Sequence, residues 1–393
     1  MEQNTLKRNI QRIYWYRVLQ GMMFPVPTIV LFWQQHGMSL TLVMVLQSLF
    51  ALTMVVLELP SGYLADVVGR RKTLILAACS TFMAIVIYSL GQHFFHFLAA
   101  EIFFAFGFAM ISGADEAFIY DTLQALDETG RYQEVYGKLF FYNVCAVGVS
   151  SVVGGWLASF SFRLTFYAVY PFFLSAVVIA FSLEEPPRKT LQVQQGYLRE
   201  LRNILRYCLV QNTRLRWLML YSGLIMGINQ AAVWLYQPYF QVCGLKVVYF
   251  GLAFASFQIV AALSSKYAYH VERWLGARYA LIVLVILTAS GYFLMAYVVF
   301  LLSFMLAFTQ QFARGFSRVV ISEYINQLTE SDIRATVLST QNLIMRLCYA
   351  MLIPIAGKIA DLTSLLHAMK ILGAATVLIG GGMLLILHKQ KVL

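Results

Sequence analysis

Long apolar segments alternate with short polar loops along almost the whole chain. A helix that crosses a bilayer needs about 20 apolar residues, whereas a membrane-spanning strand needs about 10. The segments have the helical length, so the pattern predicts an all-α polytopic membrane protein with about 12 spans rather than a β-barrel. The predicted spans cover residues 11–34, 40–64, 73–91, 95–121, 136–159, 164–183, 214–239, 247–269, 277–298, 299–324, 335–359 and 364–387.

One polar segment, residues 184–213, is longer than the other loops. It begins with two acids and two prolines, which end a helix, and three of its leucines share one helical face opposite arginines. We predict a cytoplasmic linker with an amphipathic helix on the inner membrane surface, and a solvated linker is the alternative. Either interpretation divides the chain into an N-terminal six-helix bundle (1–183) and a C-terminal six-helix bundle (214–393).

The positions of lysine and arginine predict the orientation of the chain. If the N-terminus is cytoplasmic, the predicted outer loops and helix ends hold only Arg163, Lys246 and Lys358, and the inner side holds most other basic residues. Both termini are therefore predicted to be cytoplasmic. The protein itself is expected in the cell inner (plasma) membrane. The loops around Gly69 and Gly276 are similar, which indicates pseudo-symmetric halves of the kind found in transporters.

Composition excludes several classes of protein. Hydrophobic residues make up 60% of the 393 residues and charged residues 12%, and the mean hydropathy is +0.71. Soluble domains have about 45–50% apolar residues, so a soluble enzyme and a disordered protein are excluded. The net charge of +11 is spread over short loops, so no nucleic-acid partner is expected. The five cysteines form no CxxC pair, and we expect neither a metal site nor a disulfide framework.

A motif follows the second predicted span. The sequence there has Gly62, Asp66, Gly69, Arg70 and Arg71 in the pattern Gly-x-Leu-Ala-Asp-x-x-Gly-Arg-Arg. Physically, Gly62 would let another helix approach closely, and Gly69 would permit a tight turn into the next helix. A carboxylate at Asp66 would meet a helix N-terminus or an arginine.

This motif closely resembles the signature loop of the major facilitator superfamily. The resemblance implies a fold of two six-helix bundles, with Asp66 latching the inner gate to the start of the eleventh span near Ala335. It further implies that Asp66 and Arg70 or Arg71 hold the outward-facing state and release it during the cycle. The alternative is a basic loop that only sets topology and contains an incidental acid.

Two other patterns of the superfamily are incomplete. Drug/proton antiporters usually carry an arginine six residues before a glycine in the fourth span, where this chain has Glu101 before Gly107. Their fifth span usually contains Gly-Pro-x-x-Gly-Gly, where this chain reads Ser150-Ser151-Val152-Val153-Gly154-Gly155. These departures weaken the interpretation as a multidrug antiporter.

Several charged residues fall inside predicted spans. Each costs about 2.5–3.5 kcal/mol at a helix centre, so each needs a partner or a function. Acids collect in the N-terminal half and deep arginines in the C-terminal half. The charge-pair candidates are Arg17, Glu116, Asp121 and Arg318. We predict that Glu116 and Arg318 pair across the inner gate in one conformation, and the alternative is pairing within one half, for example Arg17 with Glu58.

Acids in a membrane are also candidates for proton coupling. A carboxyl group in a low-dielectric site can bind and release a proton near neutral pH. The candidates, in order of preference, are Asp115, Glu58 and Glu101.

Deep polar residues are candidates for a solute site, since such sites are mostly apolar with a few convergent polar groups. The candidates are Gln20, Asn143, Asn229, Gln230, Trp234, Gln258, Gln310, Arg314, Asn342 and Arg346. Spacing of four residues places Gln310 with Arg314, and Asn342 with Arg346, on shared helix faces. The deep arginines favour a solute with an anionic group. For each amide, the alternative is an interhelical hydrogen bond.

The sequence therefore predicts a secondary active transporter that moves a small organic solute by alternating access. We do not expect the protein to be an enzyme. Proton coupling is expected, with sodium coupling and uniport left open. Export of toxic amphiphiles by drug/proton antiport, import of a metabolite or an iron chelate such as a siderophore, and a solute sensor are the alternatives. No P-loop is present, and we expect no cofactor, with a proton or ion gradient as energy source. The expected partners are the lipid bilayer, the solute and the proton, and the expected state is a monomer.

Overall fold

The computed structural model describes residues 3–187, 205–330 and 333–390. These residues are largely helical, and they contain no strand. The predicted amphipathic helix of the linker lies mainly on residues 188–204, outside the described residues. The α-helices are α1 (Gln3–Gln20), α2 (Ile29–Gln35), α3 (Leu40–Val68), α4 (Arg70–Leu90), α5 (Phe94–Ala125), α6 (Tyr132–Ala158), α7 (Phe162–Ser182), α8 (Thr213–Val242), α9 (Phe250–Leu275), α10 (Ala277–Tyr297), α11 (Phe308–Gln327), α12 (Arg334–Leu362) and α13 (Leu365–Lys389).

Ten helices of the described residues are long and apolar enough to cross a membrane, so the chain is an integral multi-pass membrane protein. The first and tenth predicted spans do not meet that criterion, and the count of twelve stays a prediction. The first span was expected as one helix, which is wrong: α1 ends at Gln20 and α2 begins at Ile29. Pro25 and Pro27 lie between them, and proline lacks the N–H that a continuous helix needs. The tenth begins as a 3-10 segment, Leu301–Ala307, before α11.

The chain forms two compact units. Unit 1 consists of the described parts of Met1–Gly37, Leu52–Gln194 and Val247–Ala255. Unit 2 consists of the described parts of Met38–Ala51, Gln195–Lys246 and Ser256–Leu393. Helices α3 and α9 are thus each divided between the units. The first turns of α3 belong to unit 2 and its remainder to unit 1, whereas the first turns of α9 belong to unit 1 and its remainder to unit 2.

Unit 1 has a core of apolar side chains from α1, α4, α5, α6 and α7. Its buried residues include Ile13, Leu74, Phe118, Leu139 and Ala176, one from each helix. Where helices cross, small residues let backbones approach, because association in lipid depends on close packing. A Cβ atom added to Gly154 of α6 would lie 2.0 Å from the carbonyl oxygen of Phe24, and one added to Gly155 would lie 2.7 Å from the amide nitrogen of Gly251 at the start of α9.

Unit 2 has an equivalent core from α8, α10, α11, α12 and α13. Its buried residues include Leu218, Leu284, Phe316, Val337 and Met383, again one from each helix. The start of α3 packs on α12, since a Cβ atom added to Gly357 would lie 2.7 Å from the carbonyl oxygen of Leu40.

Two glycines separate consecutive helices at equivalent places in the repeat. Gly69 has φ of 120° between α3 and α4, and Gly276 has φ of 75° between α9 and α10. Side chains with a Cβ rarely adopt such angles. The similarity between these two loops in the sequence therefore corresponds to the same backbone reversal.

Candidate functional site

The signature loop of unit 1 forms a chain of charges. The guanidinium of Arg70 lies 2.6 Å from the carboxylate of Asp66 at the end of α3 and 3.4 Å from that of Asp121 in α5. Arg70 is largely buried between these acids. The loop therefore ties three helices together, and Asp121, predicted as a charge-pair residue, is paired within its own unit.

A third acid, Glu185, comes from beyond the end of α7 and lies at the N-terminus of α4. Its two carboxylate oxygens accept hydrogen bonds from the amides of Arg70 and Arg71, each at 2.8 Å. These are first-turn amides that have no acceptor within the helix, and the helix dipole also favours an anion there. Sequence reasoning missed this role because it assigned the acids at the start of the linker only to ending a helix.

The glycines of the loop differ in what they permit. A Cβ atom on Gly69 would lie 3.1 Å from the carboxylate of Glu185, so Gly69 serves both the turn and the cap. We expected Gly62 to permit the close approach of another helix. That role is wrong for Gly62, since a Cβ atom added to it would meet nothing within 4 Å. The close approach is instead at Gly113 of α5, whose Cβ would lie 3.0 Å from the amide nitrogen of Gly62.

An ion pair between a half-buried arginine and a buried acid joins α1 to α5. Asp115 is 6% exposed, and its carboxylate lies 3.6 Å from Nε of Arg17. The other oxygen of Asp115 accepts the amide of Glu116 at 2.8 Å. From the sequence, we named Glu58 as a possible partner of Arg17 within the N-terminal half. In the structure the partner of Arg17 is Asp115 instead.

The remaining predicted acids of unit 1 have separate surroundings. Glu116 accepts a hydrogen bond from the hydroxyl of Tyr136 at 2.5 Å. Glu101 is 6% exposed and accepts a hydrogen bond from Tyr88, whose ring stacks on aromatic neighbours. Glu58 is half-buried on α3. The three acids thus occupy different places, and the pairing of Glu116 with Arg318 stays a prediction.

Several predicted solute ligands instead join helices through hydrogen bonds. In unit 2, Asn229 donates to the carbonyl of Gln310 at 3.2 Å, and the side chain of Gln310, fully buried, accepts the hydroxyl of Tyr236 at 2.8 Å. Trp234 donates to the hydroxyl of Tyr349 at 2.5 Å. These contacts correspond to the alternative interpretation of buried amides as interhelical hydrogen bonds.

The same holds in unit 1. The amide of Gln20 donates to the hydroxyl of Thr81 at 3.0 Å, and that of Asn143 donates to the carbonyl of Arg17 at 3.0 Å. Both therefore fasten α1 to a neighbouring helix.

Unit 2 contains a cavity of about 440 Å³ bounded by α8, α11 and α12. This volume lies in the range of small-molecule sites, which is about 300–1,000 Å³. Its walls are formed by Met226, Gln230, Arg314, Ser317, Arg318, Ile321, Ser322, Leu338, Gln341, Asn342 and Met345. The structure thus brings together Gln230, Arg314, Arg318 and Asn342, which were predicted separately as solute or charge-pair residues.

The surroundings of the cavity arginines include contacts and residues that the sequence did not reveal. Arg314 donates a hydrogen bond to the side-chain oxygen of Gln258 in α9, so Gln258 orients this arginine. Arg346 follows Asn342 by one turn of α12 and is half-buried. Ser317 and Ser322 were not predicted, although they lie on the same stretch of α11 as both arginines.

Two polar contacts outside the cavity were also missed. In unit 2, the carboxylate of Asp361 in α12 accepts the amides of Leu40 and Thr41 at the start of α3, at 3.0 and 2.8 Å. In unit 1, Arg163 donates to Nε2 of His36 at 2.8 Å and to the carbonyl of Gly91 at 2.8 Å. These partners are far apart in sequence, which leaves no local pattern to detect.

Comparison with known proteins gives a family and a fold. The family described as Major Facilitator Superfamily matches residues 18–351. Among curated proteins, no sequence matches significantly.

Solved transporters have the same fold at low sequence identity. The chain is similar to the nucleoside transporter NupG, with a TM-score of 0.80 and 12% identity over 98% of this chain and 99% of that one. It is similar to a D-xylose-proton symporter, with a TM-score of 0.71 and 16% identity over 95% and 97% of the two chains. A bacterial homolog of the human lysosomal transporter Spinster gives a TM-score of 0.72 and 14% identity over 98% and 96%. The match over most of the sequence shows that this chain belongs to the Major Facilitator Superfamily and is a transporter rather than an enzyme.

Proposed function

We propose that the protein is a secondary active transporter that moves a small organic solute across the cell inner membrane, driven by a proton gradient. The observation that carries this proposal is the cavity of unit 2, which places two arginines and several amides within a membrane domain. Charged groups at membrane depth mark solute or ion pathways, because they are costly to insert. The volume of about 440 Å³ suits a small solute.

Alternating access would require contacts that form and break. The pair Asp66–Arg70 and its neighbour Asp121 are candidates on the inner side, as the motif of the superfamily implies. On the other side, the contact of Asp361 with the start of α3 is a candidate, because α3 is divided between the two units. In this proposal the start of α3 leaves α12 when the protein opens outward.

Asp115 is the preferred candidate for the residue that binds the coupling proton. Its carboxyl group is buried and faces the guanidinium of Arg17 at 3.6 Å without a hydrogen bond to Nε. A proton on Asp115 would cancel that attraction and free Arg17, so protonation would be coupled to the position of α1. Glu58 and Glu101 are the next candidates.

The test is proton flux in liposomes that contain the purified protein and a pH-sensitive dye, with solutes added outside. Solute-dependent proton entry would support symport, and solute-dependent proton exit would support antiport. The Asp115→Asn variant should lose uphill transport and keep solute exchange. Uphill transport that survives in Asp115→Asn, Glu58→Gln and Glu101→Gln would contradict coupling through these acids, and an absence of proton flux for every solute would contradict the proposed proton coupling.

A further inference from the structure

We infer that the cavity of unit 2 binds an oxyanion, so that the solute is a small organic carboxylate or phosphate. This inference rests on the proposed function and adds the substrate class to it. Its basis is the charge of the cavity wall, which contains Arg314 and Arg318 and no acidic residue among the described residues.

The two arginines lack an internal counterion. Among the described residues, neither has a carboxylate within 4.0 Å, whereas Arg17 of unit 1 has one and Arg70 has two. The hydrogen bond of Arg314 goes to Gln258, which is neutral. Arg314 is half-buried and Arg318 is exposed, and charged side chains inside membrane proteins usually pair with an opposite charge or line a water-filled cavity. A bound anionic solute would supply the missing charge.

The geometry of α11 places both charges on one side of the cavity. Arg314 and Arg318 are four residues apart, so their side chains project from the same helix face. Guanidinium groups bind carboxylate and phosphate through paired N–H donors, which makes them suited to oxyanions. Ser317 and Ser322 on the same helix add hydroxyl groups to the wall.

The rest of the cavity wall indicates what other groups the solute carries. Gln230 of α8 and Asn342 of α12 line the cavity, and neither has a hydrogen-bond partner among the residues that the structure describes. Amide groups can donate to and accept from hydroxyl, carbonyl or amine groups of a ligand. Four apolar side chains complete the wall: Met226, Ile321, Leu338 and Met345. The cavity therefore fits a solute with an oxyanion at one end and a polar body with limited apolar surface.

The test compares matched pairs of compounds on the purified full-length protein in detergent. Each pair contains an anion and a neutral counterpart: glucose 6-phosphate and glucose, glycerol 3-phosphate and glycerol, uridine monophosphate and uridine, glucuronate and glucose, and quinate and its methyl ester. The readout is the unfolding temperature, since a ligand that binds the folded state raises Tm. We expect at least one anion to raise Tm by about 2 °C or more at about 10 mM, with little effect of its neutral counterpart.

Matched variants assign the effect to the cavity. Arg314→Gln and Arg318→Gln should each abolish the rise in Tm, and Arg318→Lys, which keeps the charge, should retain part of it. Arg278→Gln removes an exposed arginine of unit 2 that does not line the cavity, and it should leave the rise unchanged. Carboxylate and phosphate members of the panel distinguish the two kinds of oxyanion.

Three outcomes would overturn the inference: no anion of the panel raises Tm, a neutral counterpart raises it equally, or the rise persists in both glutamine variants. These outcomes are separable from failure of the proposed function, because binding does not require transport. Flux of a neutral solute without any anion effect would remove the oxyanion site and keep the transporter. An anion effect that depends on Arg314 and Arg318, without uptake of that anion into liposomes, would keep the site and remove the transport proposal.

Discussion

Replacing Asp361 with alanine should expose the first amides of α3 to solvent exchange. Asp361 accepts the amides of Leu40 and Thr41 and the hydroxyl of Thr41, at 3.0, 2.8 and 2.5 Å. Hydrogen bonds to a charged group contribute about 1.5–3 kcal/mol each when protected from water, and less when exposed. Because Asp361 is exposed, we take about 2 kcal/mol for the three together, which corresponds to about a 30-fold change in an equilibrium constant.

The assay is hydrogen–deuterium exchange with resolution of single amides, on the full-length protein. Asp361→Ala should increase the exchange rate of the Leu40 and Thr41 amides by about 30-fold, since local opening sets that rate. Thr41→Val removes only the hydroxyl contact, so it should give a smaller increase of about fivefold. As a control, Glu330→Ala removes another exposed acid of unit 2 and should leave both amides unchanged. Equal exchange in wild type and Asp361→Ala would refute the reasoning, because the contact would then not protect α3.

Three further predictions concern the stability of the full-length protein, measured by denaturation in detergent. Arg17→Gln should destabilise it by about 2 kcal/mol by leaving the buried Asp115 without its cation, and adding Asp115→Asn should recover most of the loss. An unaltered single variant would contradict this pairing. Glu185→Ala should cost about 2 kcal/mol because two amides of α4 lose their acceptor, and a loss below about 0.5 kcal/mol would argue against the cap. Gly154→Ala should cost more than about 2 kcal/mol, because its Cβ would lie 2.0 Å from a backbone oxygen, whereas Gly148→Ala on the same helix has open space and should be neutral or slightly stabilising. Similar effects of both alanines would contradict the close packing.

The sequence predicts those parts of the fold that depend on local chemistry. The length of each apolar segment predicts a helix, and Gly69 and Gly276 mark backbone reversals that the structure contains. The break in the first span depends equally on local chemistry, through Pro25 and Pro27, but the apolar run around them suggests a continuous helix. Hydrophobicity alone is therefore a weaker guide to helix continuity than the positions of proline.

The candidate site could be predicted only in part. In a soluble protein, polarity shows which helix face is buried, but in a membrane both the lipid-facing and core-facing sides are apolar. The sequence therefore could not show that Asn229 lies in an interhelical hydrogen bond while Gln230, the next residue, lines the cavity. It also placed Gln310 and Arg314 on one face, although one is fully buried and the other lines the cavity.

Contacts between distant residues form the other part that sequence reasoning missed. Glu185 and Arg70 are 115 residues apart, and Asp361 and Leu40 are 321 apart. Each acid lies at a helix end, where an acid is common for many reasons, so nothing in the local sequence identifies its partner. The capping role depends on tertiary structure in both cases.

The position of Glu185 has a practical consequence for protein engineering. It fixes the start of the linker to α4 two residues before Pro187, the last residue described before residue 188. An epitope tag or protease site inserted after Pro187 would follow this anchor, and so would not alter the helices of unit 1. Cleavage there by a protease added to sealed membrane vesicles of known orientation would report which side of the bilayer the linker occupies, and thus the topology of the whole chain.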